Sequence, residues 1–121
     1  MATVLLVDDM LAVRALLRVY LMGFKLDFAE AGNGAEALAL ARANPPVLII
    51  TDIQMPVMGG LELLEAVRGD PRLERIPVII LSSDEKETAK LRRLKPRHTF
   101  IAVKPIELEA LKGAVREALG T

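Results

Sequence analysis

The stretch Val47-Leu-Ile-Ile-Thr-Asp52-Ile-Gln-Met-Pro56 decides the fold. Its first four residues are apolar and mostly β-branched, too few for a buried helix and well suited to a strand. Such a strand is apolar on both faces, which calls for cover on both sides and so for a parallel sheet packed between helices. Three further runs have the same character: Val4-Leu-Leu-Val7, Val78-Ile-Ile-Leu81 and Phe100-Ile-Ala-Val103. A fifth segment, Lys25-Leu-Asp-Phe-Ala-Glu30, alternates polar and apolar residues as a less buried edge strand does.

Between the runs, apolar residues recur at helical spacing. Val13, Leu16, Leu17, Tyr20 and Leu21 form one stripe, with Arg14 and Arg18 outside it. Asn33 with Glu36 three residues on predicts a capped start for a second helix carrying Leu38. A third helix follows Gly60 and buries Leu61, Leu64 and Val67. From Asp84 to Leu94 only Ala89, Leu91 and Leu94 are available to hold a helix to a core, so this element is expected to be mobile. The last helix spans about 107–119, with Leu108, Leu111, Val115 and Leu119 inward. Five strands alternating with five helices predict an α/β doubly wound domain with right-handed crossovers.

Composition sets outer limits. A chain of 121 residues that is 52% hydrophobic, with 16 basic and 16 acidic side chains, is expected to form one domain over residues 1–121. With no cysteine there is no thiolate chemistry, and His98 alone cannot form a multi-histidine metal site. Zero net charge and four aromatics speak against a nucleic-acid surface of basic stripe and stacking rings. No apolar stretch is long enough for a membrane span, and the N-terminal run is too short for a signal peptide, which points to a cytoplasmic protein without membrane insertion.

Each apolar run stops on polar residues: Asp8-Asp9, then Thr51-Asp52, Ser82-Ser83 and Lys104. In a parallel sheet these ends emerge along one edge, where open α/β sheets bind ligands. Three carboxylates sharing a crevice repel one another unless a cation offsets them. Magnesium suits the arrangement, since it takes one or two carboxylates, keeps several waters and leaves room for phosphate oxygens. A lysine and a serine hydroxyl both suit the phosphate itself. The set reads as a phosphoryl site with an aspartate as acceptor.

A blander explanation competes for several members. Asp8 or Asp9, and Ser82, Ser83 or Asp84, sit where a loop turns into a helix, and each taken singly is as well explained as an N-cap. Capping does not account for Asp52, because the next helix begins only near Gly60, beyond Pro56. Lys104 alone reads as a solvated lysine and Pro105 alone as a strand stop. Other chemistries lack their marks: no glycine-rich phosphate loop follows a strand, and no Gly-x-Ser-x-Gly elbow is present.

Taken together, Val7-Asp8-Asp9, the segment Asp52-Ile-Gln-Met-Pro56 with Met58 and Gly60, Ser82, and Lys104-Pro105 resemble the receiver domains of two-component response regulators. The resemblance runs along essentially the whole chain and is similar to single-domain chemotaxis regulators. It implies a flavodoxin-like five-stranded sheet of order 2-1-3-4-5. It also implies Asp52 as phosphoacceptor, and Asp8, Asp9, Asp52 and the backbone carbonyl of Gln54 as magnesium ligands. Ser82 stands at the family's Thr/Ser switch position, and Lys104 at that of the lysine contacting the phosphoryl oxygens, with a cis bond to Pro105. Departures are visible too. The aromatic residue many receivers carry three positions before the lysine is Ile101 here, with Phe100 on the other face of the strand, so a hydroxyl-to-aromatic relay is not expected. Lys95-Pro-Arg-His98 replaces the usual Gly-Ala before strand five, and Gly59 stands where Asp is common.

The resemblance implies a switch rather than a turnover enzyme, phosphorylated by a sensor histidine kinase or a phosphotransfer protein. Two other classes compete: a phosphorylation-independent pseudo-receiver scaffold, and a magnesium-dependent aspartyl phosphatase. Against the phosphatase, Asp8-Asp9-Met10-Leu11 has no second acid two residues after the first. For output, Lys86, Lys90, Arg92, Arg93, Lys95 and Arg97 stand against the single acid Glu87 in one segment. A solvated helix face accounts for a lone charge run. Its weak apolar anchoring and its place directly after Ser82 instead predict that phosphorylation reshapes it, and the resemblance implies the face of helix 4, strand 5 and helix 5 as the one that then binds an acidic protein surface or a second copy of the chain, and not nucleic acid.

Overall fold

A computed structural model describes residues 2–120; Met1 and Thr121, the ends of the expected domain, lie outside them. Five parallel strands form one sheet: β1 (Thr3–Val7), β2 (Asp27–Ala31), β3 (Leu48–Asp52), β4 (Val78–Ser82) and β5 (Thr99–Val103), in the order β2-β1-β3-β4-β5. Between and after them come α1 (Leu11–Tyr20), α2 (Gly34–Ala43), α3 (Gly60–Arg68), α4 (Glu85–Leu94) and α5 (Leu108–Leu119). This is the flavodoxin-like order, with both edges taken by the two less buried strands.

The interior strands are apolar on both faces because each face packs its own core. Leu5, Val7, Ile49, Val78 and Ile80 meet Leu38, Leu63, Leu64, Val67 and Leu91 from α2, α3 and α4. Val4, Leu6, Leu48, Ile50, Ile79 and Leu81 meet Leu17, Leu21, Leu111 and Val115 from the side of α1 and α5. The alternation along each strand is the period of two that sends successive side chains to opposite faces. Register aligns the strand ends: Val7 pairs with Thr51, Asp52 with Leu81 and Ser82 with Val103. Asp8, Asp52, Ser82 and Lys104 therefore leave the sheet at one level.

Several expectations change at the margins. β3 begins at Leu48 and runs through Asp52, while Val47 lies outside it and is exposed. β5 is not covered on both faces; its edge position leaves Val103 half exposed. Phe100 and Ile101 do face opposite cores, as strand geometry requires. Leu16 and Leu108 are exposed rather than inward, and Leu63 is buried as well as Leu64 and Val67, with Leu61 only partly covered.

α4 departs most from expectation. Ala89 is exposed and Leu94 is 63% exposed; Leu91 and Thr88 are the buried residues. A fully buried aliphatic side chain contributes roughly 1.5–3 kcal/mol. One such group in α4, against three in α3, makes it a lightly anchored helix. Its ends are nonetheless defined. The Asp84 carboxylate accepts the N–H groups of Lys86 and Glu87 at 2.8 and 3.3 Å, and Lys95 closes the helix with φ 45°. For Asp84, the capping explanation is therefore correct.

Candidate functional site

β1 and β3 bring the carboxylates together. Asp8 follows β1, Asp9 comes next, and Asp52 ends β3; one oxygen from each lies within 4.8 Å of the others. Asp8 is fully buried and Asp52 partly so, while Asp9 is exposed. Asp8 Oδ1 accepts the Met10 N–H at 2.9 Å. Its other oxygen, Oδ2, is buried without a hydrogen-bond partner. Burial pushes the Asp8 carboxyl above its ordinary pKa, against the Met10 N–H and the Lys104 ammonium, which lower it; Asp52 and Asp9 add to the rise.

Lys104, just beyond β5, supplies the opposing charge. Its Nζ lies 3.1 Å from Asp52 Oδ2 and 3.7 Å from Asp8 Oδ2, and its bond to Pro105 is cis. Asp52 Oδ1 accepts the N–H of Ile53 at 2.8 Å, which fixes the carboxylate at the strand end. Ser82 closes β4 as a buried hydroxyl. Gln54 lies two residues past Asp52 in the exposed β3–α3 loop.

The donor set fits a hard divalent cation. A buried carboxylate oxygen without a hydrogen bond is costly to keep, and Asp8 Oδ2 is such an atom, faced by the Lys104 ammonium at 3.7 Å, in a group whose three carboxylates each bring an oxygen within 4.8 Å of the others. Oxygen-only ligands of this kind suit magnesium better than a soft metal.

The model of the response regulator receiver domain family matches residues 4–116. The chain belongs to that family. It is 34% identical over 120 residues to chemotaxis protein CheY1 of Helicobacter pylori, covering 97% of this chain and 96% of that protein. It is 31% identical over 116 residues to chemotaxis protein CheY of Pseudomonas aeruginosa, covering 94% and 93%. Among solved structures, the chemotaxis response regulator CheY4 of Vibrio cholerae superposes with a TM-score of 0.86 at 32% identity, over 98% of this chain and 99% of that one. Receivers of this family are two-component signalling modules, and among the described residues no helix is long and apolar enough to cross a membrane.

Two backbone features shape this receiver's β3–α3 loop. The Met58 N–H meets the Pro56 carbonyl at 2.7 Å, a three-residue γ-turn that sets Val57 at φ 68°. A β-branched residue at positive φ is strained, and Val57, 83% exposed, gains little packing in return. At Gly60 the chain passes so close to β3 that a Cβ would sit 2.0 Å from the Asp52 carbonyl oxygen. Only glycine lets α3 start against the residue that ends β3.

Three polar residues that tie the frame together, two of them beside the site, escaped the sequence reading. Thr88 Oγ1 lies 2.7 Å from Ser82 Oγ. Arg14, expected outside the helical stripe, is mostly buried; it donates to the Asp8 carbonyl at 2.5 Å and to Glu30 at 2.8 Å, joining α1, β1 and β2. Arg68 donates to the carbonyls of Glu74, Ile76, Arg97 and His98, clasping the loops before β4 and β5 at the opposite edge of the sheet. None belongs to a motif, and a polar residue within a helix reads from sequence as part of a solvated face.

Proposed function

We propose that this receiver is a cytoplasmic response regulator, one domain over residues 1–121, phosphorylated on Asp52 by a sensor histidine kinase or a phosphotransfer protein. The observation that carries the reading is the convergence of Asp8, Asp9 and Asp52 beside Lys104 at one sheet edge. Asp8, Asp9, Asp52 and the Gln54 carbonyl would hold Mg2+. Magnesium bound there would offset the carboxylates and the phosphoryl charge.

A carboxylate oxygen of Asp52 attacks phosphorus; the bond to the donor's imidazole nitrogen, or to the acyl oxygen of a small acyl phosphate, breaks; and an aspartyl phosphate forms. Lys104, now on the Asp52 carboxylate at 3.1 Å, passes to a phosphoryl oxygen, and Ser82 donates its hydroxyl to another. The chemistry is positioning and charge neutralisation, with no other covalent step asked of the chain. The protein acts as a switch rather than as a turnover enzyme.

For output, we assign the face of α4, β5 and α5. Lys90, Arg92 and Arg93 are exposed on α4, beside a cavity of about 260 Å³ lined in part by Ala89, Arg92 and Val103. An acidic protein surface or a second copy of the chain would complement it, and direct nucleic-acid binding is not part of the reading. The relatives matched over 93–96% of their own length carry chemotaxis names, which supports a chemotaxis-type response regulator.

The test is labelling with acetyl phosphate and Mg2+. Stable modification of Asp52 in the wild type, absent in Asp52→Asn, supports the assignment. Undiminished labelling of the variant refutes it, absence of any labelling favours a scaffold, and rapid multiple turnover of varied phosphate esters favours a phosphatase.

A further inference from the structure

Ser82 does not stand alone at the end of β4, because Thr88, in the first turn of α4, is bonded to it. Thr88 Oγ1 lies 2.7 Å from Ser82 Oγ and 2.8 Å from the Asp84 carbonyl oxygen, and Ser82 Oγ lies 3.2 Å from that same carbonyl. Both hydroxyls are buried, Ser82 at 1% and Thr88 at 7% exposure.

Each hydroxyl has one proton to give, so three contacts share two protons. In one arrangement Thr88 donates to the Asp84 carbonyl and Ser82 donates to Thr88. In the other Thr88 donates to Ser82 and Ser82 donates to the Asp84 carbonyl. Either way the Ser82 proton is spent on the start of α4. A phosphoryl oxygen on Asp52 would be a stronger, charged acceptor for that proton. When Ser82 turns to it, Thr88 has two acceptors in reach, the Asp84 carbonyl and Ser82 Oγ, and donation to Ser82 is the arrangement that keeps the 2.7 Å hydroxyl pair bonded. The Asp84 carbonyl loses a hydroxyl donor but keeps the Thr88 N–H at 3.0 Å. A chain of hydroxyls aligned in one direction strengthens each of its members.

We propose that Thr88 is a positioning residue, the α4 half of a two-hydroxyl relay that donates to Ser82 when Ser82 donates to a phosphoryl group and so ties the start of α4 to the state of the site. The inference rests on Asp52 being the phosphoacceptor. It gives Ser82 a partner inside the domain in a chain where Ile101 offers no hydroxyl or ring. The light anchoring of α4, with Leu91 as its one buried aliphatic residue, lets a single hydrogen bond change its populations.

Thr88→Val tests this cleanly, because valine keeps the buried volume and Ser82 retains the Asp84 carbonyl as acceptor. Hydrogen–deuterium exchange of residues 85–94 would be measured with and without acetyl phosphate and Mg2+, with Asp52 labelling read by mass spectrometry in the same samples. Thr88→Val should label to within about twofold of wild type, while its α4 exchange response shrinks about fivefold, the population equivalent of one net hydrogen bond. Thr88→Ser, which restores the hydroxyl, should recover the response. If Thr88→Val does not fold, Thr88→Ala against Thr88→Ser gives the same contrast. An unchanged α4 response in Thr88→Val at equal labelling overturns the relay, and so does failure of Thr88→Ser to recover it. Failure of the wild type to label on Asp52 overturns the proposed function itself, and shows before any variant is compared.

Discussion

Asp8→Asn should make the receiver more stable without metal and deaf to magnesium. Asp8 is fully buried, Oδ1 has the Met10 N–H, and Oδ2 has no hydrogen bond. Its nearest cation, Lys104 at 3.7 Å, is closer to Asp52 at 3.1 Å, so the lysine keeps its main partner when Asp8 is neutralised. At an effective dielectric near 20 the Asp8–Lys104 attraction is about 4 kcal/mol before desolvation, yet the carboxyl's raised pKa shows that burial and the like charges of Asp52 and Asp9 outweigh it. Leaving a buried polar group unsatisfied costs about 1–3 kcal/mol. Asparagine keeps the acceptor for Met10 and turns a donor toward the neighbouring carboxylates, so a gain of about 1–2 kcal/mol at neutral pH is expected. For a domain of this size that raises Tm by roughly 5 °C. Magnesium should reverse the order, since the wild type gains about 2.7 kcal/mol at a metal concentration a hundredfold above Kd and the variant loses a ligand. The assay is thermal unfolding by circular dichroism in EDTA and across a Mg2+ series. A variant that melts below wild type in EDTA, or that keeps the full magnesium shift, refutes the account of Asp8 as a carboxylate held ready for a cation.

The remaining predictions address the frame of the site. Gly60→Ala forces a Cβ to within 2.0 Å of the Asp52 carbonyl oxygen, and should cost about 3 kcal/mol or more in thermal unfolding. Val57→Gly relieves about 1–3 kcal/mol of positive-φ strain and returns up to about 1 kcal/mol through the freer unfolded chain. A higher urea midpoint with an unchanged m value is expected, and a lower one would disprove the strain. Arg68→Lys replaces a fork serving four carbonyls with a point charge. It should lose about 2 kcal/mol and speed exchange across residues 95–99, whereas wild-type exchange there would contradict the clasp. Hydrogen bonds from Arg14 and Arg18 hold the Glu30 carboxyl below its ordinary value of 4.5, so it stabilises the fold above about that pH and this contribution is lost as pH falls through the lowered value. The pair is partly exposed and worth under about 1 kcal/mol. Glu30→Gln should flatten that part of the acid limb, read as a smaller fall in Tm than the wild type shows as pH drops below about 4.5.

How far the sequence carries depends on which physical signal each residue emits. The interior strands are legible because a strand covered on both faces must be apolar throughout, and Val4 to Val7 divides its side chains between two cores as that rule demands. β5 has the composition of such a strand, yet sheet order, which its composition does not encode, leaves Val103 at an edge. Helical periodicity finds the centre of a stripe and not its width. Leu17 and Leu111 are buried as read, whereas Leu16 and Leu108 fall at the margins and face solvent. Asp8, Asp9, Asp52, Ser82 and Lys104 are legible as a set because an apolar run that ends on a charge or hydroxyl fixes where that group leaves the sheet. Thr88, Arg14 and Arg68 emit no such signal. Their partners are a distant hydroxyl, main-chain carbonyls and a carboxylate on another element, and only the fold brings those within reach.

The same distinction separates the two edges of the sheet. At the N-terminal edges of β4 and β5, Arg68 satisfies the carbonyls of loops that carry Lys95 and His98 at positive φ, so a strained connection is held by several charged hydrogen bonds. At the C-terminal edge, Asp8 keeps a buried oxygen without a hydrogen bond, Val57 keeps a strained turn, and α4 begins with one cap and one hydroxyl pair. The end of α4 thus runs into a connection that Arg68 clasps, whereas its start, next to Ser82, is held by the Asp84 cap and the hydroxyl pair alone. The holds at that start are hydrogen bonds, and the Asp8 oxygen beside them lacks one, so the groups nearest the proposed phosphoryl position are the ones a cation and a phosphoryl group could re-pair.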